Sequence, residues 1–302
     1  AASLNYRDLL TVEGSYNPTQ PLPLVPLSDG AGEVDAVGPG VTRVKAGDRV
    51  AGAFNQAWVS GPPRRDHVRS SLGGPLDGLL AEQVVLDAEG VVPLPAHLSF
   101  EEGACLPCAA VTAWNALVEQ GGTTAGQTVL VLGTGGVALF ALQLARALGA
   151  RVIVTSSSDA KLERARELGA TDTVNYRTTP EWDRRVKELT DGAGVDHVLV
   201  LGGAETLTRS LRAVRMGGQV SLVGSLSGLE ATLNLALVFM RGVRLQGILV
   251  GSRAMFEAMN EVIARDHLRP VIDRVFAFEE APDALAHLKG QSHFGKLVVR
   301  VG

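Results

Sequence analysis

Thr128-Val-Leu-Val-Leu-Gly133-Thr-Gly135-Gly136-Val-Ala138 sets a short apolar run directly before a glycine turn, and an apolar helical pattern follows at once. The spacing is G-x-G-x-x-A. Gly133 permits the tight turn, Gly135 lets a ligand come close to the backbone, and Ala138 keeps the helix close to the strand. A helix that starts there offers unpaired N–H groups and partial positive charge, which suits the pyrophosphate of a dinucleotide. A ligand-free strand–helix turn is the plain alternative, and the complete βαβ pattern around the turn favours the dinucleotide.

Outward from this turn, strand and helix signals alternate: strand 128–132, helix 137–148, strand 151–155 and helix 159–168. Both helices end at a glycine, Gly149 and Gly169, while Ser158 and Thr179-Pro180 stand where helix starts belong. Further strands are predicted at 173–175, 195–201, 219–223 and 243–250, with helices at 181–190 and 206–215. This α/β alternation calls for right-handed crossovers and a doubly wound, six-stranded parallel sheet, with its ligand at the carboxyl ends of the strands. Upstream the texture differs. Short apolar alternations such as Glu33-Val-Asp-Ala-Val37 are separated by Gly38-Pro-Gly40, Gly47-Asp48, Gly61-Pro-Pro63 and Gly73-Gly-Pro75, the pattern of a small β-barrel. The expected division is therefore 1–107 for the β domain and 108–264 for the dinucleotide domain, with 265–302 returning to the first.

The second strand of a dinucleotide fold commonly ends in an acidic residue that holds the ribose diol of NAD; here Val154-Thr155 runs into Ser156-Ser157-Ser158. A carboxylate would oppose a 2′-phosphate by about 4 kcal/mol per charge pair at 4 Å and an effective dielectric of 20, whereas Ser156 and Ser157 can donate to it. NADPH is thus favoured over NADH. Lys161, early in the next helix, adds a cation, and Tyr176 ends the neighbouring strand. Asp159 works against this reading, and an ordinary cap cluster is the alternative for the serines.

Composition narrows the partners. The 302 residues, 46% of them apolar and 20% charged, suit two globular domains. A net charge of −4 gives no positive field for nucleic acid. Two cysteines exclude a disulfide scaffold and fit a reducing, cytoplasmic setting. No apolar run is long enough for a membrane span, and the first ten residues have no signal-peptide pattern. Cys105-Leu-Pro-Cys108 lies in an apolar segment and reads as core.

Ser3-Leu-Asn-Tyr-Arg-Asp8, Ser28-Asp-Gly-Ala-Gly-Glu-Val34, Val44-Lys-Ala-Gly-Asp-Arg-Val50 and the glycine turn, in this order, resemble the medium-chain dehydrogenase/reductase superfamily. The likeness spans nearly the whole chain and is closest to the zinc-free quinone oxidoreductase branch and the neighbouring zinc-type alcohol dehydrogenase-like proteins. It implies a GroES-like β domain beside a Rossmann domain, an active site in the cleft between them, and about 30 further residues before Ala1. Zinc members carry Cys and Gly-His-Glu where this chain has Asn5 and Ser28-Asp29, so no metal site is expected. The resemblance also implies cofactor contacts at Gly136 and Val137, at Gly224 and Ser225, and at Val250 and Gly251. It places Lys296 of Phe294-Gly-Lys296 near the adenosine phosphate, and it implies a homodimer.

Without zinc, alcohol oxidation lacks the Lewis acid that stabilises an alkoxide, whereas hydride addition to a conjugated double bond needs only polar donors at the carbonyl oxygen. Reduction of a quinone, an enone or another small carbonyl substrate is the leading expectation. Asn5 and Thr112 are candidates to polarise the carbonyl, and Tyr16 or water to supply the proton. Related quinone reductases have a tyrosine five residues after the Asn, where this chain has Leu10. Two alternatives stay open: an atypical, zinc-lacking NADP-dependent alcohol or aldehyde dehydrogenase, and a non-catalytic NADPH-binding protein.

Overall fold

The computed structural model describes residues 1–224 and 226–302. In chain order its strands are β1 (Ala2–Ser3), β2 (Asp29–Glu33), β3 (Arg49–Gly52), β4 (Val91–Pro93), β5 (Thr128–Leu132), β6 (Arg151–Ser156), β7 (Asp172–Asn175), β8 (Val195–Val200), β9 (Val214–Leu222), β10 (Arg244–Gly247), β11 (Ile272–Phe276) and β12 (Lys296–Val299). The chain divides into two units, Ala1–Val111 with Val250–Gly302, and Thr112–Leu249.

The first unit is built on a sheet of order β11-β12-β1-β2-β3-β4. The two-residue strand β1 lies at its middle, antiparallel to both neighbours, with Ser3 opposite Val298 on one side and Asp29 on the other. This register decides the chemistry of the unit. It brings the residues after Ser3, the start of β2 and the start of β12 to one end of three adjacent strands, although 291 positions separate Asn5 from Lys296. The C-terminal segment Val250–Gly302 lies in this unit, which starts the segment fifteen residues before the expected 265. Helix Arg253–Arg265 belongs here, not to the dinucleotide unit. Its apolar face buries Phe256, Met259 and Ile263, its Asn260 Nδ2 donates to the Pro93 carbonyl at 3.0 Å, and its first amides bond the Trp58 and Val59 carbonyls. A lone amphipathic helix after a parallel strand looks the same in sequence whichever sheet it covers.

The second unit is the predicted six-stranded parallel sheet, of order β10-β9-β8-β5-β6-β7. Its inner strands β5 and β6 are near-continuous apolar runs because helices cover parallel sheets. Leu130, Ile153, Val198 and Val220 are completely buried in one cluster. The helices Gly136–Ala147 and Asp159–Glu167 each stop two residues before Gly149 and Gly169. Two boundaries move. β9 starts at Val214, directly after helix Ala204–Ala213, and the edge strand β10 keeps four residues of the eight expected.

Candidate functional site

In the second unit the strand β5 ends in the glycine turn. Gly133 has φ +91°, a conformation closed to most side chains, and its amide donates to the Thr155 carbonyl at 2.8 Å. Gly135 stands ahead of helix Gly136–Ala147, and the first helical bond runs from the Leu139 amide to the Gly135 carbonyl at 3.0 Å. The amides before Leu139, those of Gly136 and Val137 among them, end the helix without intrahelical partners. A Cβ placed on Gly133 or Gly135 would meet nothing within 4 Å, whereas Ala138 is 1% exposed and packs against the sheet. The turn thus has open space on one side and close packing on the other, which fits a bound pyrophosphate.

At the end of β6, Ser156 is buried and its carbonyl accepts the Tyr176 amide at 3.1 Å, which ties the two strand ends together. Ser158 caps the next helix by accepting the Lys161 amide. Ser157 is half-buried between them, and Tyr176 is exposed. Asp159, the carboxylate that opposed a phosphate reading, accepts Asn175 Nδ2 at 2.7 Å. Arg177, exposed on the same loop, is a cation that the sequence reading passed over; its signal was its place one residue beyond Tyr176. Gly224 follows β9 with its amide on the Val200 carbonyl, and a Cβ there would lie 2.5 Å from the Leu201 carbonyl oxygen. Ser225 lies outside the described residues. Thr112 opens this unit, 5% exposed; Val250 and Gly251 open the return to the first unit.

In the first unit the residues gathered by β12, β1 and β2 form a buried polar cluster. Lys296, 3% exposed, donates to the Leu4 carbonyl at 2.7 Å and to Asn5 Oδ1 at 2.6 Å, and its Nζ lies 3.8 Å from Asp29 Oδ2. Asn5 Nδ2 donates to Ser28 Oγ at 3.3 Å; Ser28 Oγ donates to Asp29 Oδ1 at 3.0 Å, and the Cys108 amide to Asp29 Oδ2 at 3.1 Å. Asn5 precedes helix Tyr6–Val12, and its amide donates to Asp8 Oδ2 at 2.9 Å. Asp8 also accepts from Arg7 at 3.1 Å, and Arg7 donates onward to the Leu72 and Gly73 carbonyls. Burial raises the Asp8 carboxyl to about 6 against the pull of Arg7, and burial likewise raises Asp29 against the pull of Lys296.

This arrangement corrects one expectation. Lys296 does not stand on a surface that a nucleotide phosphate can reach, because its strand is internal and its amine is turned into the cluster beside Asn5. Tyr16 is 52% exposed, with its ring 4.8 Å from the Arg7 guanidinium. Asp8 was given no role in the sequence reading, and Asp29 was marked by the resemblance only as standing where zinc members have a ligand. The Asn5-x-x-Asp8 spacing of a helix start was a visible signal for the first; the strand register that serves the second had none. The cysteines behave as core: burial pushes the Cys105 thiol up to about 12 and raises Cys108 as well.

A parallel sheet with an open glycine turn, together with a β unit of this topology, defines an alcohol dehydrogenase-like oxidoreductase. The family described as alcohol dehydrogenase GroES-like domain matches residues 1–96, and the one described as zinc-binding dehydrogenase matches residues 136–265. A zinc-type alcohol dehydrogenase-like protein of Schizosaccharomyces pombe is 44% identical across the whole chain, which covers 89% of that protein. A quinone oxidoreductase of Pseudomonas aeruginosa is 34% identical over 99% of the chain and 88% of its own length. A crystal structure titled as an NAD-dependent alcohol dehydrogenase superposes with a TM-score of 0.91 at 37% identity, over 100% of this chain and 90% of the other. The chain belongs to the medium-chain dehydrogenase/reductase superfamily.

The zinc in one of these family descriptions does not fit the residues present. Structural and catalytic zinc sites draw on thiolate, imidazole and carboxylate ligands. Among the described residues no three His, Cys, Asp or Glu side chains gather to hold a metal, and beside Asn5 and Asp29 stands an ammonium.

Proposed function

We propose that this protein is a zinc-free, NADPH-dependent reductase that transfers hydride to a quinone, an enone or another activated double bond. The observation that carries the reading is the donor set at Asn5, Ser28 and Asp29, which holds a lysine amine and offers no thiolate or imidazole. Bound NADPH would supply the hydride. The turn residues Gly133, Gly135, Gly136 and Val137 hold the pyrophosphate, and Gly224, Ser225, Val250 and Gly251 are the further cofactor contacts that the resemblance implies. Ser156, Ser157, Lys161 and Tyr176 take the 2′-phosphate, a reading supported by the hydroxyls at the end of β6 and by the engagement of Asp159 with Asn175. Asn5 and Thr112 polarise the substrate carbonyl, and Tyr16 or water returns the proton.

The relatives named as alcohol dehydrogenases support a second reading, oxidation of an alcohol with NADP+. A panel of quinones, enones, alcohols and aldehydes, followed by nucleotide absorbance, separates the two. The first reading predicts NADPH consumption with the unsaturated acceptors at rates well above any alcohol oxidation. Nucleotide binding without turnover of any of these classes would leave a non-catalytic binding protein. A homodimer through the β10 edge fits the exposed apolar residues Leu235, Phe239 and Met240 ahead of that strand. Among the described residues no helix is long and apolar enough to cross a membrane.

A further inference from the structure

We propose that the ammonium of Lys296 serves as the built-in cation of the first unit, filling the space between Asn5 and Asp29 that a metal ion would need and fixing the Asn5 carboxamide. The inference rests on the zinc-free reading and deepens it: it names what stands in the metal's place.

Three observations converge. The amine is surrounded by oxygen on several sides: the Leu4 carbonyl, Asn5 Oδ1 and, further off, Asp29 Oδ2. The buried charges already balance, with Arg7 and Lys296 against Asp8 and Asp29, so a divalent ion added to the set would leave two uncompensated positive charges in a buried place. The amine is also delivered by rigid backbone. Gly295 has φ +95°, and a Cβ there would lie 2.3 Å from the Val271 carbonyl oxygen, so the chain enters β12 by a path that only glycine takes. A lysine held this way has little freedom to swing out and admit another cation.

The amine also orders its neighbours. Because Asn5 Oδ1 faces an ammonium, the carboxamide must present Nδ2 to Ser28, which in turn must donate to Asp29. The chain of donors has one direction, set by the one group in it that cannot accept. Lys296 is a positioning residue for Asn5.

Cobalt(II) titration tests the proposal, because thiolate-to-cobalt absorption reports binding without any assay of activity. Two variants are compared with the wild type: Asn5→Cys/Ser28→His, which supplies soft ligands and keeps Lys296, and the same pair with Lys296→Met. The expected result is no cobalt uptake by the wild type and at least hundredfold tighter cobalt binding by the triple variant than by the double. Equal affinities of the two variants overturn the role of Lys296 and leave the zinc-free reading standing. Stoichiometric metal in the wild type overturns both. Should the triple variant fail to fold, Lys296→Ala with added ethylammonium decides: a rise in its melting temperature that equimolar propanol does not give, and that the wild type does not show, supports the cation's place, and equal responses to both additives overturn it.

Discussion

The two polar regions of this molecule are made in opposite ways. The turn at 133–138 works by leaving side chains out, so that bare amides face open space beside a packed helix. The cluster at Asn5, Asp8, Asp29 and Lys296 works by filling space with charged side chains, each of which satisfies another. The first region waits for a charged ligand, and the second already contains its counter-charges. A site of the first kind is expected to tolerate mutation in stability and lose binding; a site of the second kind is expected to lose stability first.

The sharpest way to break this contrast is Lys296→Met. Removing one partner of a buried ion pair leaves Asp29 uncompensated, with an expected loss of about 3–5 kcal/mol in chemical denaturation at neutral pH. The loss should shrink in acid, because the Asp29 carboxyl is already raised by burial and takes up a proton more readily. A loss below about 1 kcal/mol would mean that the cluster does not depend on its charges.

The opposite behaviour is expected of Gly135→Val. A Cβ there meets no protein atom within 4 Å, and a branched side chain extends from it into the space before the helix. Isothermal titration should show at least a hundredfold loss of dinucleotide affinity, about 2.7 kcal/mol, with the unfolding free energy little changed. Loss of stability and retention of binding would reverse the assignment of the turn.

Acid should separate the two units further. In the second unit burial lowers His197 to about 4, and its Nε2 lies 2.8 Å from Ser221 Oγ. A depressed histidine contributes stability above its unfolded value near 6.5 and loses it as pH falls toward the folded value, so acidification from pH 7 to 5 is expected to weaken this unit by about 2 kcal/mol. Asp8 in the first unit has the other sign. Its raised carboxyl favours the folded state below about pH 4 and stops doing so as pH rises through about 6, so the same acidification brings about 1 kcal/mol of stabilisation. Hydrogen exchange at the two pH values, on wild type and His197→Gln, reads the units one by one; a second unit indifferent to pH in the wild type would contradict the assignment.

The smallest effect expected is on cofactor choice. NADPH should bind at least tenfold more tightly than NADH, about 1.4 kcal/mol, and Lys161→Ala should narrow that gap in a fluorescence titration. Equal affinities in the wild type would instead align this chain with its NAD-dependent structural relative.

The contrast also explains what could be read in advance. The glycine turn is local: strand, turn and helix follow each other within eleven residues, and the spacing of Gly133, Gly135 and Ala138 carries its geometry whatever the rest of the chain does. The doubly wound sheet was legible for the same reason, since each βαβ step is a neighbour of the next. The cluster is non-local. Asn5, Ser28 and Asp29 were marked by resemblance, but their pairing with Lys296 depends on β1 lying between β2 and β12, a register no short window contains. Lys296 itself, at the start of an apolar strand after a glycine, looks like a surface lysine until β12 is seen to be internal. The expected end of the dinucleotide domain at 264 differs from Leu249 for a related reason: the amphipathic pattern of 253–265 says that one face is covered and not by which sheet.

The reading as a whole turns on hydride transfer without a metal. Protein dialysed against a strong chelator and verified to be free of zinc should still consume NADPH in the presence of a quinone or enone acceptor, at the same rate as before dialysis. Activity that vanishes on chelation and returns with added zinc would contradict it.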